Sequence, residues 1–71
     1  MAWKKEFLSE GVFYSFTTKR AQAAYAFLDM AKFALNAQAF IHTSHNDFKC
    51  CIASKDFPRF QAYLSGVCSS I

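Results

Sequence analysis

The sequence predicts an α+β fold, a small two-layer sandwich with helices on one face of an antiparallel sheet and its elements in the order β-α-β-β-α. Three observations carry that prediction. Residues 18–36 keep one helical period with a wide apolar side. Short segments rich in β-branched and aromatic residues stand on both sides of that stretch. Two of those segments are separated by a polar loop of hairpin length. An apolar helical side that wide has to be covered, and the flanking strands are the natural cover.

At 71 residues the chain makes one domain, residues 1–71. A domain of this size buries only ~60% of the surface its unfolded chain exposes. Residues 1–10 form a helical or extended lead-in. Trp3, Phe7 and Leu8 recur at i, i+4 and i+5, which suits a short amphipathic helix with Lys4, Lys5 and Glu6 in solvent. The same residues also read as an edge strand turning at Glu10 and Gly11; Trp3 is the anchor in either case.

Residues 12–17 are the first strand. Val12, Tyr14 and Phe16 fall on the face that meets the helix, and Phe13, Ser15 and Thr17 on the other, where Phe13 is either partly exposed or covered by the N-terminal segment. Thr17 or Thr18 supplies an N-cap, since a hydroxyl accepts a backbone N–H left unpaired in the first helical turn. Steps of 100° then gather Ala23, Ala24, Phe27, Leu28, Met30, Ala31, Ala34 and Leu35 on one side, with Gln22, Asp29, Lys32 and Asn36 opposite. The small alanines allow close approach to a sheet. Tyr25 and Phe33 fall outside the apolar sector. Asn36 ends the helix, because asparagine tolerates the left-handed conformation.

Residues 37–43 and 48–54 alternate as a second and a third strand around the turn formers of residues 44–47. Thr43 should face Phe48, Ile41 face Cys50 and Ala39 face Ile52, leaving Phe40, His42, Lys49 and Cys51 on the opposite face. A last helix begins near residues 54–56, where Ser54 or Asp56 caps it. Phe57, Phe60, Leu64 and Val67 form its stripe, and Gly66 stops it. Residues 67–71 are a frayed tail or a short fourth strand. The order of elements resembles a ferredoxin-like topology whose final strand is missing or vestigial. The likeness is one of element order; no family motif accompanies it.

The functional expectations come mostly from composition. The hydrophobic fraction is 54%, with nine Phe, more large apolar area than so short a chain easily encloses. Surplus of that kind marks an interface. The net charge is +3, from basic residues that never cluster into a nucleic-acid tail. No residue run is long and apolar enough to span a membrane, and MAWKKEFLSEG carries no signal-peptide pattern. With three cysteines, two of them adjacent and diverging on a strand, the expectation is free thiols in a reducing, cytoplasmic setting.

Chemistry is sparse. His42, His45, Cys50 and Cys51 surround one hairpin, but their spacing fits no metal class, and no metal or cofactor is expected. Cys51 beside His42, with Asp47 behind, would pair a thiol with a base, yet a flat sheet face offers little concavity. The acids are scattered, and Gly11 and Gly66 cannot make a phosphate loop. The expectation is therefore a non-enzymatic protein-interaction module, an adaptor or stoichiometric inhibitor of a larger protein of the kind mobile elements often encode, acting as a homodimer. Its candidate contact residues are Tyr25, Lys32 and Phe33 on the helix, and Phe13 and Phe40 on the open sheet face, which Ile71 would also line. The alternative is a nucleic-acid-binding module in which Phe13, Phe40, His42 and Lys49 form an aromatic and basic platform.

Overall fold

The structure is a computed structural model that describes residues 2–69, with side chains through residue 66. It is a small α+β domain with a four-stranded antiparallel sheet and two helices. The strands are β1 (Lys4–Leu8), β2 (Gly11–Thr18), β3 (Ala39–Ser44) and β4 (Asp47–Ala53). The helices are α1 (Ala21–Asp29), continued by a π-helical turn over Met30–Ala34, and α2 (Phe57–Ser69). The sheet runs β1-β2-β4-β3, so the elements follow one another as β-β-α-β-β-α.

The first β is the edge-strand reading of residues 1–10, turning at Glu10 and Gly11, and replaces the helical one. With β4 on one side of β2, the other edge of β2 would show unpaired N–H and C=O groups, and β1 satisfies them with Lys4 opposite Ser15 and Glu6 opposite Phe13. The reversal at Ser9 and Glu10 leads into Gly11, whose φ of +133° only glycine adopts readily. Trp3, at the entrance to β1, anchors the segment. Its indole lies edge-on to Phe16 and Phe57, each at 4.9 Å, and within 6.2 Å of Phe27 and Phe60.

The β3–β4 register is the expected one, pairing Thr43 with Phe48, Ile41 with Cys50 and Ala39 with Ile52. The turn is tighter than expected, because Ser44 also pairs with Asp47 and leaves only His45 and Asn46 at the tip. Their φ values of 50° and 68° make it the mirror-image turn that matches strand twist.

Three helix boundaries differ from expectation. Thr18 stays in β2, paired with Phe48, and its hydroxyl accepts the Arg20 N–H at 3.1 Å; α1 therefore starts at Ala21, without a side-chain cap. At the other end the Leu35 N–H reaches back to the Met30 carbonyl and the Ala37 N–H to that of Ala31, while Asn36 takes the expected left-handed φ of 52°. That wider turn breaks the 100° step, so Ala31 is buried but Ala34, expected inside, is exposed. Gly66 does not stop α2, which runs on to Ser69 and so excludes a strand over residues 67–69. Ile71 lies outside the described residues.

The main core lies between helices and sheet. Ala24, Phe27 and Ala31 of the first helical segment and Phe60 of α2 bury against Ala39, Cys50 and Ile52, with Tyr14, Phe16, Ile41 and Phe48 packed around them. Tyr14 stacks on Phe57 at 4.0 Å and fixes the start of α2. The second sheet face holds a smaller cluster of Phe13, Cys51 and Ala53, closed by Leu8 and Phe40.

Candidate interaction surface

The outward side of the helical layer is where large apolar groups meet solvent. Ala24, Phe27 and Ala31 supply the buried stripe of the first helix, and residues a half-turn away point out by necessity. Phe33 is 84% exposed and Tyr25 55% exposed, with Lys32 also in solvent. Tyr25 makes an edge contact with Phe48 at 6.1 Å. Between the helices runs a shallow groove of about 250 Å³, floored by Phe16 and Phe27 and walled by Ala23, Ala26 and Met30 of α1 and its π-turn and by Phe60 and Leu64 of α2. Among the described residues, no titratable side chain lines it.

Periodicity alone identified Tyr25, Lys32 and Phe33 as outward residues. It missed the groove, because a wall made by two helices depends on where the second one docks. It also missed Phe7, which is 79% exposed on edge strand β1 with the Lys5 ammonium 6.0 Å from its ring centroid.

The other sheet face is differently built. Register places Glu6, Phe13, Ser15, Phe40, His42, Lys49 and Cys51 on it. Phe13, expected either partly exposed on the open face or covered by the N-terminal segment, is 1% exposed, because Leu8 of that segment and Phe40 pack across it and Phe40 meets its ring edge-on at 5.2 Å. Phe40 is itself half-buried. Lys49 is bound to Glu6 at 2.7 Å, and the Ser15 hydroxyl donates to the same carboxylate at 3.2 Å. The Lys49 hydrogen bond holds the Glu6 carboxyl below its ordinary range, and Glu6 in turn raises Lys49. This face therefore presents a neutralised ion pair beside a closed apolar cluster.

The hairpin donors separate. Cys50 faces the helices, Cys51 and His42 the open face, and His45 the turn tip. Among the described residues, no group of three or more His, Cys, Asp or Glu is placed to hold a metal ion. Cys51 and His42 do line one shallow depression with Leu8, Phe40 and Lys49. Burial nevertheless raises the Cys51 thiol pKa, opposite to the tuning a nucleophile needs. Cys50 is pushed up to about 11 by burial and by its neighbour Cys51.

No described helix is long and apolar enough to cross a membrane. No protein-family model matches the sequence, and no curated protein and no solved structure is significantly similar to it.

Proposed function

We propose that this chain is a small non-enzymatic protein-interaction module that contacts its target through the outward side of its helical layer. It would act as an adaptor or stoichiometric inhibitor, by bridging or by steric occlusion. The observation that carries the reading is the exposure of Phe33 and Tyr25 on a helix whose inner side is already filled by Ala24, Phe27 and Ala31. Aromatic anchors of this kind concentrate binding energy once a partner excludes water from them. Homodimer formation belongs to the same proposal and has its opening at the sheet edges β1 and β3, whose outer sides pair with no further strand among the described residues. The buried free thiols Cys50 and Cys51 suit a reducing, cytoplasmic setting.

The alternative, nucleic acid on the open sheet face, draws less support. Phe13 has no exposed ring to stack on a base, and Lys49 is committed to Glu6. A finer reading of the fold joins the proposal: the strand order β1-β2-β4-β3 is that of a ferredoxin-like chain whose last strand has moved to the N-terminus.

The test is capture from an extract of the encoding organism by immobilised wild-type chain and by the Tyr25→Ala, Phe33→Ala double variant. Both side chains are exposed, so the variant should fold. A discrete protein bound by wild type and lost by the folded variant supports the reading. Equal capture by both overturns it, and co-purifying nucleic acid released steeply by salt favours the alternative.

A further inference from the structure

The charge of this molecule is not spread evenly over its two layers. The helical layer and its loops carry Lys19, Arg20, Lys32, Lys55 and Arg59 against Asp29 and Asp56, a net +3. The strands and their turns carry Lys4, Lys5 and Lys49 against Glu6, Glu10 and Asp47, a net of zero. The whole formal charge of +3 therefore sits on the layer that also exposes Tyr25, Phe33 and the groove. Asp56, one of that layer's two acids, is already occupied, accepting the Gln38 N–H at 3.0 Å and pairing with Arg59 at 3.3 Å. Lys19, Arg20, Lys32 and Lys55 are exposed and form no ion pair among the described residues. Along the first helix, Lys19 and Arg20 stand at the N-terminal end of the groove residues Ala23, Ala26 and Met30.

We infer that this groove receives one amphipathic helix of an acidic protein partner. Its apolar side chains enter between α1 and α2, and its carboxylates meet Lys19 and Arg20. The inference rests on the reading of the helical layer as the contact surface and names the class of partner. Two walls of helix over an aromatic floor form the trough into which an amphipathic helix lays its apolar stripe. At about 250 Å³ the groove falls below the roughly 300–1,000 Å³ of small-molecule pockets, and among the described residues its lining offers no polar side chain to orient a ligand. Ala23 and Ala26 keep one wall low, which lets a partner backbone come close. A second copy of this chain is the wrong occupant. Its helical layer carries the same net +3, so pairing the two layers would set like charge against like.

The probe is a synthetic amphipathic helical peptide about four turns long, with leucines at i, i+3 and i+7 and glutamates at the remaining charged positions. A second peptide with the same leucines carries lysines instead. Binding of each to the full chain is followed by fluorescence anisotropy. The expected result is that the acidic peptide binds about tenfold or more tightly than the basic one, and that its affinity falls as salt rises. Ala26→Gln, which puts a polar side chain into the groove, should weaken acidic-peptide binding by about tenfold. Ala62→Gln, at an exposed α2 position outside the groove, should leave it within about twofold.

Equal binding of both peptides, or indifference to Ala26→Gln, overturns the inference. Binding to vesicles of anionic phospholipid but not to the acidic peptide overturns it in favour of a membrane surface. A dimer that Ala26→Gln dissociates overturns it in favour of a second copy. If the peptide fails while the Tyr25→Ala, Phe33→Ala variant still loses a captured protein, the acidic-helix class falls and the helical layer stands as the contact surface.

Discussion

Replacing Trp3 by alanine tests how the N-terminal strand is held. The indole bridges β2, through Phe16, to α1 and α2, through Phe27, Phe57 and Phe60, with ring separations of 4.9 to 6.2 Å. Truncating a fully buried tryptophan costs about 3–5 kcal/mol. Trp3 is half-buried, which sets the expectation at the lower end, about 3 kcal/mol, edge contacts included. A single core of this size supplies roughly 3–5 kcal/mol, so the variant should be marginally folded at 25 °C. At about 4–8 °C per kcal/mol for so small a domain, the midpoint should fall by about 12–24 °C. Trp3 is the sole tryptophan, so unfolding in urea is followed by far-UV circular dichroism. Trp3→Phe should recover most of the loss. A cost below about 1 kcal/mol for Trp3→Ala would refute the reasoning and detach β1 from the core.

Other consequences follow from the same structure. Asn46→Gly relaxes a non-glycine residue at φ 68° in a turn type that prefers glycine at this position, and should raise stability by about 0.5–1 kcal/mol in urea unfolding. Glu6 has its pKa lowered chiefly by the Lys49 hydrogen bond, so the unfolded chain takes up that proton more readily. The ion pair's contribution is therefore complete above the unfolded value of about 4.3 and is lost as pH falls through the lower, folded value. Lys49, with its pKa raised, loses its contribution as pH climbs past about 10.4 through the folded value. Glu6→Gln should flatten the acid limb of a stability-against-pH curve, by no more than about 1 kcal/mol for a pair this open to water. In a Cys68→Ser background, neither Cys50 nor Cys51 should react with a thiol reagent at pH 8 until the chain unfolds, because both are buried with raised pKa values. Fast labelling of the folded variant would show that the Phe13 cluster is open.

The parts of the fold legible in the sequence are those whose cause is local. Strict alternation on both sides of a polar turn places Ile41 against Cys50 without any tertiary information, and a one-residue slip would have moved every apolar side chain to the wrong face. Asn36 ends its helix because its own backbone tolerates φ 52°. What escaped has causes elsewhere in the molecule. Residues 4–8 left helix and edge strand both open, because Trp3 and Phe7, four residues apart, imitate a helical stripe; the strand forms because β2 has an edge to satisfy. The π-turn depends on how Ala31 docks and where Asn36 must deliver the chain to β3. Gly66 reads as a stop, yet glycine in a helix costs only about 1 kcal/mol relative to alanine, and α2 continues through it.

The candidate surface divides the same way. Tyr25 and Phe33 are outward by angle alone, a property of one helix that its sequence reveals. Alternation on its strand leaves Phe13 either partly exposed or covered by the N-terminal segment, and Leu8 of that segment, with Phe40, decides for burial. The groove needs both helices in place before it exists.

Hydroxyl-radical footprinting of this chain, free and bound to its captured partner, separates the two faces most directly, since each carries side chains that oxidise readily. Binding through the helical layer predicts protection of Tyr25, Met30 and Phe33, with Phe40 and His42 labelled as in the free chain. Protection of Phe40 and His42, with Tyr25 and Phe33 unchanged, would contradict it and assign binding to the open face of the sheet.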